Sequence, residues 1–171
     1  MRTGNWLLVG LLVLGVAACS SGIRRDQAVP AGKIGDGRVA SVKLYLSSEA
    51  EKLRADNLTF NPDALQDMIQ RTLQARSLLV AESPQRIEVE VTSFRARGTF
   101  AAIMVGVFAG TDNVTGNVHV LDKGGKLLRK FEVTASYGLG GLGGGQDTTR
   151  MNWLYEEFAK HTANELTGEA K

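Results

Sequence analysis

Asn61-Pro62-Asp63-Ala64-Leu65-Gln66-Asp67-Met68-Ile69-Gln70-Arg71-Thr72-Leu73, followed after a short connector by Arg86-Ile87-Glu88-Val89-Glu90-Val91, sets a helix period and a strand period side by side in the chain. In the first segment Asn61 suits an N-cap, Pro62 the first helical position and Asp63 the first turn. Leu65, Met68, Ile69, Thr72 and Leu73 then recur at steps of three and four, which gives one apolar stripe and a helix ending near Arg76. In the second, Ile87, Val89 and Val91 alternate with Arg86, Glu88 and Glu90, the pattern of a strand over residues 86–97 that is buried on one face.

The same two periods account for the rest of the folded part. Residues 39–46 read as the first strand, with Val42, Leu44 and Leu46 alternating with Lys43 and Tyr45, and the charged residues 47–55 suit a helical turn. Residues 114–121 and 128–137 read as two further strands, joined by Asp122-Lys123-Gly124-Gly125-Lys126, a hairpin turn in which glycine supplies positive φ. Asp147 suits the N-cap of a last helix over 148–166, whose stripe is Met151, Leu154, Tyr155, Phe158, Thr162 and Leu166. The order strand, helix, strand, strand, strand, helix predicts an α/β chain of the α+β kind. The expected architecture is a two-layer sandwich of about four mostly antiparallel strands, with a right-handed parallel first crossover and both helices on one face.

The N-terminus carries an address. Arg2 precedes an uncharged apolar run over residues 6–16, the n-region and h-region pattern of an export signal. Eleven residues are too few to span a bilayer, which takes about 20. Val16-Ala17-Ala18-Cys19 resembles the lipobox of bacterial lipoproteins, in which small residues precede a cysteine that receives diacylglycerol on sulfur before the signal peptide is removed. The one departure is Val16, where the family prefers Leu. The resemblance implies a signal peptide over 1–18, then diacylglycerol and an N-acyl chain (palmitate-type lipid) on Cys19, and a tethered rather than spanning protein. Each buried CH₂ contributes roughly 0.8 kcal/mol, so several acyl chains anchor firmly. Ser20, where inner-membrane lipoproteins of enterobacteria carry Asp, implies the outer membrane and a periplasm-facing domain, with the inner membrane as the alternative.

Residues 19–37 hold Gly22, Pro30, Gly32, Gly35 and Gly37 and no sustained apolar period, and are expected to form a flexible lipidated tether before a single domain over 38–167. The Arg24-Arg25 pair in it suits either plain solvation or anionic headgroups. Cys19 is the one cysteine, so a lipidated chain has no thiol left for a disulfide, a thiolate metal site or a nucleophile. Removing residues 1–18 takes away Arg2 and leaves 19 Lys and Arg against 18 Asp and Glu, a balance that gives nucleic acid no reason to bind.

Three features bear on chemistry or contact. Gly138-Leu-Gly140-Gly-Leu-Gly143 matches the spacing of a dinucleotide-binding turn, but such a turn needs a parallel βαβ unit with a further strand, and here the helix is the last element. A flexible loop is the expected reading and a partner-contact loop the alternative. Residues 99–111 carry no charge and place Ala102, Gly106 and Gly110 at four-residue spacing. That suits a connector packed on the domain, and alternatively a self-association or partner interface, or contact with lipid or a pore wall. His119 and His161 stand apart, without the converging ligands of a metal site, and no nucleophile turn of the Gly-x-Ser-x-Gly kind occurs. No cofactor and no catalysis are expected.

Leu46-Ser-Ser-Glu-Ala-Glu-Lys-Leu, Phe60-Asn-Pro-Asp-Ala-Leu through Leu78-Leu79, Gly110-Thr-Asp-Asn-Val-Thr-Gly and Phe131-Glu-Val-Thr-Ala-Ser-Tyr together resemble a proteobacterial lipoprotein family classed only as a domain of unknown function, 4410. More distantly, the layout is similar to YajG-like outer-membrane lipoproteins. The resemblance covers most of residues 39–166, its motifs are structural, and it implies no activity. One departure is Ser77, where the family pattern implies Gly after the first long helix. The functional expectation is a non-enzymatic periplasmic interaction module of the cell envelope, anchored by lipid and holding an envelope protein. The alternative is a self-associating subunit of an oligomeric export or pore-type assembly.

Overall fold

The computed structural model describes residues 21–26, 36–97, 110–138 and 147–169. Five strands, β1 (Gly22–Arg25), β2 (Val42–Leu46), β3 (Gln85–Arg95), β4 (Asp112–Asp122) and β5 (Leu127–Tyr137), form one sheet in the order β1-β5-β4-β3-β2. Among the described residues the helices are α1 (Ser48–Leu53), continued by a 3-10 turn at Arg54–Asp56, α2 (Pro62–Ala75) and α3 (Asp147–Thr167). β2 pairs parallel with β3, and every other pairing is antiparallel. The two-layer α+β architecture expected from the sequence is the one observed.

Each element follows from local chemistry. The Asn61 side chain accepts the Ala64 N–H, and Pro62 opens α2 where a missing N–H costs nothing. At the other end the Ser77 and Leu78 N–H groups return to the Gln74 and Leu73 carbonyls, which closes a Schellman motif with Ser77 at φ +57°. Ser47 caps α1 by accepting the Ala50 N–H. The β4–β5 hairpin closes through Asp122 N–H to Lys126 O at 3.0 Å, with the Asp122 carboxylate accepting the Lys126 N–H at 2.9 Å.

Alternation assigns the two faces of the sheet. Ile87, Val89 and Val91 of β3, Val114, Val118 and Val120 of β4, and Phe131, Val133 and Ala135 of β5 are buried against Leu65, Ile69 and Leu73 of α2 and Leu154, Phe158 and Ala163 of α3. Gly116 lies on this core face, where a Cβ would stand 2.9 Å from the Glu90 carbonyl and 3.2 Å from the Phe158 ring, so its missing side chain lets α3 close on the sheet. The opposite face carries cross-strand rows of polar side chains: Lys43, Glu88, His119 and Lys130 in one, and Tyr45, Glu90, Asn117, Glu132 and Arg24 in the next. These rows are partly exposed, as expected of an antiparallel sheet covered on one side.

Two departures from the sequence reading have physical causes. The pairing of β3 with β4 shifts between Val91 and Ser93. The extra residue returns Phe94 to the core face, where its ring stacks on Phe60 with centroids 4.0 Å apart. The sheet also has a fifth strand, β1, inside the stretch expected to be a loose tether. Four residues, Gly22-Ile-Arg-Arg, are too few to show a period, and their conformation comes from pairing with β5. Two side-chain contacts fix them. The Ser136 N–H donates to the Ser21 hydroxyl oxygen at 2.8 Å, and the Arg25 guanidinium donates to both oxygens of Glu165 at 2.9 and 3.0 Å. Residues 19–20 and 27–35 of that stretch lie outside the described residues.

Candidate functional site

Strand directions gather several chain ends at one end of the sheet. The register pairs Arg95 with Asn113, Asp112 with Tyr137, and Thr134 with Gly22, so β3 ends, β4 begins, β5 ends and β1 begins there. Both segments singled out in the sequence leave from this end: residues 98–109 between β3 and β4, and 139–146 between β5 and α3.

A buried ionic cluster holds these stems. Asp112 is 0% exposed, Arg150 1% and Arg97 4%. The Asp112 carboxylate accepts the Arg97 N–H at 2.6 Å, Arg97 Nη2 at 3.0 Å and Arg150 Nε at 2.9 Å. Arg150 Nη2 also donates to the Arg97 carbonyl and the Asp147 carboxylate, each at 2.7 Å, and Arg97 Nη1 donates to the Gly110 carbonyl at 2.7 Å. Charges this deep are tolerable only when paired and hydrogen-bonded, and here two arginines meet two carboxylates. The cluster ties the end of β3, the start of β4 and the first turn of α3 into one rigid frame.

At the far end of α3, the fully buried carboxylate of Glu165 accepts hydrogen bonds from Arg25 of β1 and Arg129 of β5. The hydrogen bond to Glu165 and its negative charge raise the pKa of Arg25 above its already high ordinary value. Arg24 in turn pairs with Glu132 at 3.1 Å. Both arginines of the expected headgroup-binding pair therefore have a carboxylate partner within the domain.

Of the residues singled out from sequence, Val16, Ala17, Ala18, Cys19, Ala102, Gly106, Gly140 and Gly143 lie outside the described residues. Gly110 stands at the stem of β4 with φ +85°, where a Cβ would fall 2.6 Å from Arg95 Nη1. Its glycine is accounted for locally by that backbone shape and the Arg95 approach. Gly138 leaves β5, and a Cβ there would meet the Thr111 methyl at an ordinary 3.6 Å. β5 pairs antiparallel with both neighbours, so the glycine-rich segment behind it stands outside a parallel βαβ unit.

The two histidines are far apart in role. His119 lies in the polar row between Glu88 and Lys130; burial, then the Lys130 charge, lowers its pKa, while Glu90 and Glu88 oppose the shift. His161 sits on α3 with Nε2 3.7 Å from the Glu157 carboxylate one turn away. Among the described residues no group of three His, Cys, Asp or Glu side chains is placed to hold a metal ion. One hollow of about 310 Å³ on the polar face is lined by Arg24, Arg25, Asn117, Lys130 and Glu132, and one of about 280 Å³ between the starts of α2 and α3 is lined by Asn61, Ala64, Met151 and Tyr155.

Sequence reading missed the ionic cluster, although its signal was present: Arg97 and Asp112 are the charges that bracket the uncharged run, and bracketing charges are candidates to pair across the stem. Glu165 gave a weaker signal, a carboxylate one residue before the last apolar position of the α3 stripe.

An open sheet with its helices on one face and its chain ends braced by buried ion pairs defines a small two-layer α+β domain. The chain belongs to the family described as Domain of unknown function (DUF4410), whose model matches residues 23–141, and this is the family that the segments around Phe60 and Phe131 resemble. In fold it is similar to PelC from Paraburkholderia phytofirmans, solved as a dodecamer, with 13% identity, a TM-score of 0.50, and 86% of this chain and 97% of that one covered. A point variant of that dodecamer gives 15%, 0.49, 85% and 97%. A minor lipoprotein from Acinetobacter baumannii is 12% identical with a TM-score of 0.42, covering 76% and 94%. At these identities the likeness is one of fold. No curated protein matches the chain.

Proposed function

We propose that the protein is a non-enzymatic interaction module of the bacterial envelope, held at the outer membrane by diacylglycerol and an N-acyl chain on Cys19, with its domain facing the periplasm and an envelope protein as its partner. The observation that carries this reading is Val16-Ala17-Ala18-Cys19 at the end of an export signal, directly ahead of a folded DUF4410 domain. The deployment of charge supports it. Arg97, Asp112, Arg150 and Glu165, the buried ionisable groups that an active site would recruit, each bind one another or a structural arginine, and so serve the scaffold. The polar sheet face mixes both signs in cross-strand rows, which suits a protein surface better than a polyanion.

A second reading has its own support. A fold similar to that of a dodecamer at a TM-score of 0.50, with one sheet face uncovered by helices, favours self-association into an assembly of the export or pore type. Crosslinking in cells, followed by mass measurement of the detergent-purified lipidated protein, separates the two. A monomer crosslinked to one defined envelope protein supports the interaction module, and a closed multiple of the chain mass supports the assembly. A monomer that captures no partner contradicts both.

A further inference from the structure

Ser21, the Tyr137–Trp153 pair and Leu58, the most exposed large apolar side chain among the described residues, fall at one end of the sheet. Cys19 stands two residues before Ser21, whose hydroxyl is hydrogen-bonded to the Ser136 main chain at the end of β5. Two residues span at most about 7 Å even when fully extended. A lipid on Cys19 therefore leaves almost no slack, and the β1 end of the domain has to lie against the headgroups.

That end has a surface suited to the place. Trp153, 36% exposed, packs edge-on against Tyr137 with ring centroids 5.1 Å apart, at the point where β5 ends. Leu58 is 87% exposed, a large apolar side chain with almost no protein cover. It follows Asn57, whose side-chain oxygen accepts the Ala96 N–H just beyond β3, so it belongs to the same end. The hairpin end carries Asp122, Lys123 and Lys126, and at the Leu58 end the charged side chains of α1 and the 3-10 turn stand beside the apolar ones, with Arg54 paired to Glu51 at 3.3 Å. Trp and Tyr favour the membrane–water boundary because an apolar ring and a polar edge are both satisfied there.

We propose that the domain stands end-on on the bilayer, with the end marked by Ser21, Leu58, Tyr137 and Trp153 in contact with phospholipid and Leu58 and Trp153 entering the interfacial layer. The polar sheet face then runs upright from the membrane and is presented sideways to partners, and the β4–β5 hairpin points away into the periplasm. This orientation rests on lipidation of Cys19, and the test separates the two claims.

With Trp6 removed in the signal peptide, Trp153 is the single tryptophan of the processed chain, so its emission reports one position. The lipidated protein is reconstituted into phosphatidylethanolamine–phosphatidylglycerol vesicles, with and without phosphatidylcholine brominated near the glycerol end of its acyl chains, and floated on a density gradient. The expected result is co-flotation with loss of Trp153 emission in the brominated vesicles. The double substitution Leu58→Trp with Trp153→Phe should be quenched likewise, and Leu127→Trp with Trp153→Phe, at the hairpin end, should keep its emission. Co-flotation with neither Trp153 nor the Trp at 58 quenched overturns the orientation and leaves the anchor standing. Failure to float overturns the anchor and the orientation with it.

Discussion

At φ +57° Ser77 holds the left-handed shape that lets its own N–H and that of Leu78 satisfy the last carbonyls of α2, and it also turns the chain so that Leu78 can bury beside Leu73. An L side chain in that region costs about 1–2 kcal/mol against glycine, offset in part because glycine frees the unfolded chain by about 0.4–1 kcal/mol. Ser77→Gly should therefore stabilise the protein by about 0.5–1 kcal/mol. A denaturant midpoint that moves upward with unchanged slope is the expected result, and a downward shift would mean that the serine hydroxyl supplies something the backbone geometry does not require. The resemblance to the DUF4410 family marked this position, because only a glycine pattern interrupted by serine singles it out of an otherwise ordinary helix end. Gly116 was not legible in the same way. Nothing in a lone glycine within a strand says which ring will approach it, and the Phe158 contact exists only once α3 is laid on the sheet.

Among the elements, β3, β4, β5, α2 and α3 could be read from sequence because each buries one face and leaves the other to polar side chains, so that its period is written in the chain. β1 and the bulge after Val91 could not, since the conformation of both is imposed by a neighbour: β5 templates the first, and the demand to bury Phe94 against Phe60 sets the second. The ionic cluster lies on the same level, for it joins β3, β4 and α3 and belongs to none of them. Arg150→Met keeps most of the volume while leaving Asp112 buried with one of its two guanidinium partners. Removing one member of a buried ion pair typically costs about 3–5 kcal/mol, and a loss of that size is expected in urea unfolding. A loss below about 1 kcal/mol, the range of exposed pairs, would show that the cluster is not the brace described above.

For the whole molecule, the asymmetries reinforce one another. One sheet face is buried under helices and the other is polar, and one end collects Leu58, Tyr137, Trp153 and the start of β1. No helix among the described residues is long and apolar enough to cross a membrane, and the membrane reading rests on the proposed attachment through Cys19. The lipobox-like cysteine and the two uncharged segments were visible in the sequence as separate features. That Ser21 stands at the end of the sheet where β3 and β5 finish was not, because it depends on the register of β1 with β5, which no spacing in the chain encodes. The most direct measurement is palmitate labelling in cells of the wild-type protein beside Cys19→Ala. Label on the wild type that is absent from Cys19→Ala, with only the wild type in the membrane fraction, is the predicted result. An unlabelled wild type, or label that survives the substitution, would contradict the anchor on which the account stands.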